Sequence, residues 1–563
     1  MSSFIRSVVT GACALASVFT LSAATNLATD AGSKRAITMV QGKVVKGSLG
    51  NAFNGVDGWA AAYGLFSAST EGNVAPSEET PVVFDFTFND DYRPGEDLGV
   101  TRFTLSALNN YWHGGYDDKI DYRSSAASNF TISGSLDGET WTELVNSTGY
   151  TAPTQLIIPY AKRAPYRRFR FTFTKNAGYS GADHGTLFIQ NIAIYADPVY
   201  YAKVDGSDAN DGLSWATATS LTNGFAKANT DHFKELHLQA GTYLPSKCLT
   251  ATKMMTIVGG LAGEGDEPDA VTGRSVIDAQ GAYGTIFSNG TSPGNYQYGY
   301  FTQMENLDLR HATAQAVSYT TTYGSFRAIN CRFVGNRGSR SGSNGIHEGG
   351  RGLSFSGYNG SGANMRCELY DCEFVDNGPL AGSDLTLKWS GCGCSISYGT
   401  AVLENCLFAS NGLASTDMPT SSGTEGMDGH AVSSSAKILA TGCRFVRNRG
   451  TTGWNNKWPG AAGGATVYAT ASGNVFDRCL FVANENVYGG SQRGTLGTLT
   501  VTANTRVESC TFAYNLVDGG AAAGGLTVNG GTAAVTNSIF YGNAVGSGAT
   551  VGADIHVAAG AAL

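Results

Sequence analysis

Asn330-Cys331-Arg332-Phe333-Val334-Gly335-Asn336 recurs as Asp371-Cys372-Glu373-Phe374-Val375-Asp376-Asn377 and as Asn405-Cys406-Leu407-Phe408-Ala409-Ser410-Asn411. The same C-x-F-x-x-N frame returns at Cys443, Phe445 and Asn448, at Cys479, Phe481 and Asn484, and at Cys510, Phe512 and Asn515. A seventh copy, Ser538, Phe540 and Asn543, has serine for cysteine. Spacing between copies varies while the motif stays constant, which predicts a fixed rung carrying loops of variable length. Cys and Phe stand two residues apart, so they share one face of a strand. Both are apolar, so that face points inward. The residues between them (Arg332, Glu373, Leu407, Arg444, Leu480, Thr511, Ile539) are mixed and face outward. The closing Asn falls at a turn, where its amide can bond the backbone and its neighbours one rung away. Rungs stacked ~4.8 Å apart would build ladders of Cys, Phe and Asn.

Composition agrees with a turn-dense all-β chain. Of 563 residues 75 are glycine, and only 15% are charged. An apolar content of 42% excludes disorder, and no Gly-X-Y period or heptad exists. The formal charge of -8, with no basic run, makes nucleic acid and anionic membrane poor partners.

Upstream of the repeats, Val204 to Ala218 is followed by a short amphipathic helix pattern, Leu221 to Ala228, and by Glu235-Leu236-His237-Leu238-Gln239-Ala240-Gly241-Thr242-Tyr243. Ile257-Val258-Gly259-Gly260 and Ser275-Val276-Ile277-Asp278 follow. This order resembles the opening of secreted right-handed parallel β-helix proteins of the pectate-lyase-like superfamily. The helix would cap the open end of the coil. With the Gly-Gly pairs at 349–350, 463–464 and 524–525, the F-x-x-N elements resemble the repeats of chlamydial polymorphic outer membrane proteins. The resemblance implies a right-handed solenoid over residues 200–563.

Residues 30–197 carry no repeat but show short alternating runs, such as Val82–Phe88, Phe130–Ser135 and Arg168–Phe173. Regular short strands of this kind predict an antiparallel sandwich. Asn51-Ala52-Phe53-Asn54-Gly55, Asp121-Tyr122-Arg123, Phe130 to Gly138 and Tyr166 to Phe171 resemble, in order, a discoidin (coagulation-factor type C, galactose-binding-like) domain. That resemblance implies a jelly-roll sandwich and carbohydrate binding. Trp59 and Trp141 read as core. A sugar site needs an aromatic face and a few orienting polar groups. The loop around Trp112, His113, Tyr116, Asp117 and Asp118 offers both, against the alternative that its aromatics pack under the sandwich edge. Asp117 and Asp118, or Asp205, Asp208 and Asp211, are alternatives for a structural Ca²⁺ by composition; no other cofactor is indicated.

The ladder reading makes Cys331, Cys372, Cys406, Cys443, Cys479 and Cys510 unpaired packing residues. Cys248, Cys367, Cys392 and Cys394 lie off the ladder and leave a disulfide open. A search for paired catalytic carboxylates finds only isolated fragments. Asp428-Gly429-His430 superficially resembles a pectin-hydrolase element, but His430 reads as an outward turn residue. Asn306-Leu307-Asp308 reads as an ordinary strand. Arg332, Arg337, Arg340, Arg351, Arg444, Arg447 and Arg449 form a loose basic face.

Residues 1–24 read as a signal peptide: Arg6, an apolar run from Val8 to Leu21, then Ser22-Ala23-Ala24. No other segment is long and apolar enough to span a membrane. Asp554 to Gly560 opens a further rung that ends at Leu563, so a fragment of a longer chain is expected. The function expected is glycan or cell-surface binding by a secreted or surface-held adhesive protein without catalysis. The alternative is a polysaccharide lyase or glycoside hydrolase using the sandwich as its targeting module.

Overall fold

The computed structural model describes residues 25–46, 48–53, 66–72, 74–92, 99–106, 127–149, 154–178, 187–189, 191–289, 300–321, 324–338, 352–357, 365–379, 389–412, 427–451, 465–487, 497–517, 523–546 and 553–563. Among the described residues the C-terminal part is a parallel β-helix with three long sheets, beside two short two-stranded sheets and one four-stranded sheet. The first holds eleven strands, from Val199–Ala202 to Ala533–Thr536. The second holds ten, from Gly241–Tyr243 to Ile539–Tyr541, and the third ten, from Leu249–Ala251 to Ile555–Val557. Each rung of the repeat contributes one strand to each sheet.

The motif accounts for the rung. In Arg332–Val334 and its six successors the central Phe points inward. From Phe333 to Phe540 the rings stack at 4.5 to 5.1 Å between centroids, nearly parallel. That spacing is the strand separation itself, so stacking and backbone pairing reinforce each other. Each ladder thiol donates to backbone carbonyls: Cys406 reaches the Leu369 oxygen at 3.3 Å and the Glu404 oxygen at 3.4 Å. Burial raises the Cys406 thiol well above its ordinary value. No disulfide joins Cys248, Cys367, Cys392 and Cys394 to one another, which closes the bridge left open for the off-ladder set.

The Asn side chains satisfy their buried amides through the ladder. Asn448 donates to the Phe408 carbonyl at 2.8 Å and to Asn484 Oδ1 at 3.0 Å. Its own Oδ1 accepts the Asn411 backbone N–H and side-chain amide, both at 3.0 Å. The run extends from Asn336 to Asn543, which donates to Asp554. Two bends per rung are left-handed. The residue before Cys (Asn330, Asp371, Asn405, Gly442, Arg478, Ser509) and the one before Asn (Gly335, Asp376, Ser410, Arg447, Ala483, Tyr514) all have φ between 50° and 64°. Asn, Asp and Gly suit that region, whereas Arg, Ala and Tyr do not.

Length variation is confined mainly to one corner. From Ile329 onward, two residues join the first sheet to the second in every rung. Long and unequal connections instead lead from the second sheet to the third. Helix Leu221–Ala228 packs Leu221, Gly224, Phe225 and Ala228 over the first strands, capped by Ser220 Oγ, which accepts the Asn223 N–H.

The N-terminal part is an antiparallel sandwich. A five-stranded sheet runs in the order Arg35–Gln41, Val82–Phe88, Arg168–Asn176, Ala127–Ser135, Thr142–Ser147. A four-stranded sheet runs Thr25–Asn26, Asn191–Ala196, Arg102–Ser106, Thr154–Ile157, and a three-stranded sheet joins Leu187–Ile189, Phe66–Ser69 and Lys43–Lys46. Alternation in these strands drives Phe84, Phe86, Phe103, Phe169, Phe171 and Phe173 into one aromatic core. Trp141 is not part of it, contrary to the sequence reading. It lies half-buried at the sheet margin with the Arg170 guanidinium 4.1 Å from its ring, and Asp85 holds that guanidinium through two 2.8 Å bonds. Trp59 lies outside the described residues. Among the described residues no helix is long and apolar enough to cross a membrane.

Candidate functional site

Trp112, His113, Tyr116, Asp117 and Asp118, the sugar-site residues expected from sequence, lie outside the described residues. The described constellation is the seam where the sandwich meets the first sheet of the solenoid. Strand alternation turns Leu236, Met304 and Phe326 inward and Glu235, His237, Gln303, Glu305 and Arg327 outward, beneath the sandwich.

Arg163, from the sandwich, grips Glu235 with two bonds of 2.7 and 2.8 Å. The Tyr160 backbone N–H donates to the Glu305 carboxylate at 2.9 Å, and Gln303 donates to it at 2.7 Å. Arg327 donates to the Ile157 carbonyl at 3.3 Å and to Glu368 at 2.7 Å, and Arg366 approaches the other oxygen of Glu368 at 2.5 Å. Arg102 binds Asp197 at 2.8 Å and lies 4.2 Å from the Phe233 ring of the solenoid. Paired, hydrogen-bonded charges of this kind are the form in which burial is tolerated.

The electrostatics follow. Burial opposes the charge on Glu235, but the Arg163 guanidinium and the His237 bond outweigh it and hold the carboxyl at about 2. For Glu305 burial prevails and raises the carboxyl above its usual range. Glu235 is 1% exposed and Glu305 2%. Two carboxylates of contrasting proton affinity resemble an acid–base pair on paper. No polymer reaches them under the sandwich, and their bonds are spent on docking.

The other sequence candidates resolve individually. His430 is fully buried rather than outward; its Nε2 lies 3.1 Å from Thr466 Oγ1. Burial lowers its imidazole to about 3, so it is neutral. Gly450 makes the room: a Cβ there would sit 2.3 Å from His430 Nδ1. Asp308 lies in strand Leu307–Arg310 and holds Arg310 at 2.5 Å and Arg332 at 3.2 Å. The loose basic face is partly neutralised, since Arg332 also pairs with Glu373, Arg337 with Asp376 and Arg449 with Glu485, while Arg444 and Arg447 are exposed and form no ion pair with a described residue. Arg340 and Arg351 lie outside the described residues. Asp211 accepts the Leu213 N–H at 3.0 Å as a turn residue, and Asp208 accepts the Ser220 hydroxyl. Among the described residues no three His, Cys, Asp or Glu are placed to hold a metal ion. The seam itself was missed from sequence. Its one signal is the run of Glu, His, Gln and Arg at outward strand positions that neighbouring rungs fill with Thr and Val.

Residues 358–560 match the family model described as "Right handed beta helix region", which fixes the hand of the coil. No curated protein matches the chain. Among solved structures, the N-terminal part is similar to chitosan-binding module 1 of a chitosanase/glucanase from Paenibacillus sp. IK-5, at 14% identity, covering 30% of this chain and 98% of the module, with a TM-score of 0.20. It is similar to the family 32 carbohydrate-binding module of NanJ from Clostridium perfringens, solved with galactose, at 10% identity, 31% and 98% coverage and a TM-score of 0.21. A further Clostridium perfringens module, CpGH89CBM32-5, solved with GalNAc-β-1,3-galactose, is 12% identical, with 31% and 99% coverage and a TM-score of 0.21.

Proposed function

We propose that the chain is an exported glycan-binding protein that holds a carbohydrate-binding sandwich rigidly against a non-catalytic β-helix. One observation carries the second half of this reading: Glu235 and Glu305, an acid–base-like pair on the solenoid, are sealed beneath the sandwich and committed to Arg163 and the Tyr160 N–H. The discoidin-like series of motifs supports the first half, with Trp112 and Tyr116 stacking on a galactose-type sugar while His113, Asp117 and Asp118 orient its hydroxyls. The Arg6 and Val8–Leu21 pattern supports export to the cell surface or medium. The β-helix then serves as a stiff spacer and adhesive wall. A glycan array probed with the full chain tests the sandwich assignment. Binding to galactose-containing glycans that Trp112→Ala abolishes is the expected outcome; binding unchanged by Trp112→Ala overturns it.

A further inference from the structure

The outer face of the second sheet changes character along the solenoid. In its early rungs the outward side chains are charged and paired: Asp308 with Arg310 and Arg332, and Arg332 with Glu373. From Leu407 onward no described outward position of that sheet carries a carboxylate. One column runs through Leu407, Arg444, Leu480 and Ile539, and the next through Val482 and Tyr541. Arg444 and Arg447 are exposed and form no ion pair with a described residue. Further along, Tyr514 and Tyr541 are each 61% exposed and Ile539 60%. The two tyrosine rings meet edge to face, 5.4 Å apart between centroids. Gly542 makes the room for this: a Cβ there would sit 2.8 Å from Tyr514 Cδ1.

Large aromatics left in water beside unpaired guanidiniums have the composition of an interface centre, where Tyr and Arg are enriched and Asp, Glu and Lys depleted. A contiguous exposed apolar patch points the same way. The order of residues along the face says what covers it. Arg447 and Tyr514 both stand immediately before a ladder Asn, one rung to either side of Leu480. Leu407 and Ile539 lie two rungs to either side. A half-turn about the Leu480 rung therefore lays cation on aromatic and apolar on apolar. Stacking two copies in parallel would instead set arginine against arginine.

We propose that this face is a self-association surface, on which two copies of the chain pair antiparallel about a two-fold axis through Leu480 and Val482. The contact is isologous, so each Arg447–Tyr514 approach occurs twice. Five rungs at ~4.8 Å by four residues at ~3.3 Å give on the order of 300 Å² of sheet face per copy. That is below the ~800 Å² per partner of a standard interface, so a single pair is weak. Chains displayed side by side would engage in number and gain by avidity. The inference does not rest on glycan binding by the sandwich.

Sedimentation velocity of the full chain across a range of concentrations tests it. The sedimentation coefficient should climb toward the dimer value at high micromolar concentration, and galactose should not change it. Arg444→Glu with Arg447→Glu should weaken association at least tenfold, and so should Tyr514→Ser with Tyr541→Ser; all four side chains are exposed. Arg447→Glu with Tyr514→Lys, which restores opposite partners across the axis, should recover most of it. Leu480→Cys lies on the axis and should form an intermolecular disulfide with oxidised glutathione as oxidant. Ile539→Cys, away from the axis, should not. A chain monomeric at every concentration, association insensitive to the arginine and tyrosine variants, or Ile539→Cys linking as readily as Leu480→Cys would overturn the proposal. A monomer held on an immobilised acidic polysaccharide through Arg444 and Arg447 would also overturn it, by giving the face to a glycan.

Discussion

Replacing Asn448 by alanine removes one amide from the middle of the ladder, and the structure gives the consequence. Four hydrogen bonds disappear: those to the Phe408 carbonyl and Asn484 Oδ1, and those received from the Asn411 backbone N–H and side-chain amide. Asn484 Oδ1 keeps the Asn448 backbone N–H at 3.0 Å, so it is not stranded. Two groups are stranded, the Asn411 N–H and one Asn411 amide hydrogen, while the Phe408 carbonyl keeps its place in the parallel ladder with strand Arg444–Val446. Asn411 and Asn448 are fully buried. At roughly 1–3 kcal/mol for each of the two buried groups left unpaired, and allowing for partial relaxation, the loss should be about 3 kcal/mol. Because rungs contact only their neighbours, the effect should centre on the rungs of Asn411, Asn448 and Asn484. Hydrogen exchange followed by mass spectrometry should show protection falling there by about two orders of magnitude, while the sandwich keeps its protection. A loss under about 1 kcal/mol, or a loss spread evenly over the chain, would refute the claim that the ladder bonds hold the turn.

Arg163→Met should cost about 3 kcal/mol of docking free energy, because Glu235 is left buried with only the His237 bond; small-angle scattering should show the sandwich released from the solenoid. Acidification should act late. The depressed Glu235 carboxyl stabilises the docked form above its free value of about 4.5, and that contribution fades only as pH falls toward about 2. The raised Glu305 has the opposite sign, favouring docking in mild acid, so scattering at pH 4 should still give the docked shape. The ladder thiols, all buried, should resist a water-soluble disulfide reagent in the native protein and react on denaturation. Ala483→Gly, at φ 53°, should gain about 1 kcal/mol in urea unfolding by relieving left-handed strain.

The rung was legible because its signal is local and repeated. Cys and Phe two apart fix the inward face, and Asn three beyond Phe fixes the turn. The two left-handed bends are half legible: Asn330, Asp371, Asn405 and Gly442 announce one, but Arg447, Ala483 and Tyr514 show stacked rungs imposing it on unsuited residues. His430 was misread because its burial depends on Gly450, a residue that comes close only after the chain has completed another rung. Trp141 was misread because aromatic bulk suggests core, whereas an arginine two strands away covers its ring. The seam was not legible at all. Arg163 and Glu235 are 72 residues apart in different domains, and nothing local tells which strand face a second domain will cover.

The central claim is binding without catalysis, and product analysis tests it most directly. The full chain, incubated with galactose-containing, amino and acidic glycans and then recovered with them, should retain glycan while generating neither new reducing ends nor unsaturated sugars. Release of either product, abolished by substitution of a residue on the solenoid face, would contradict the account.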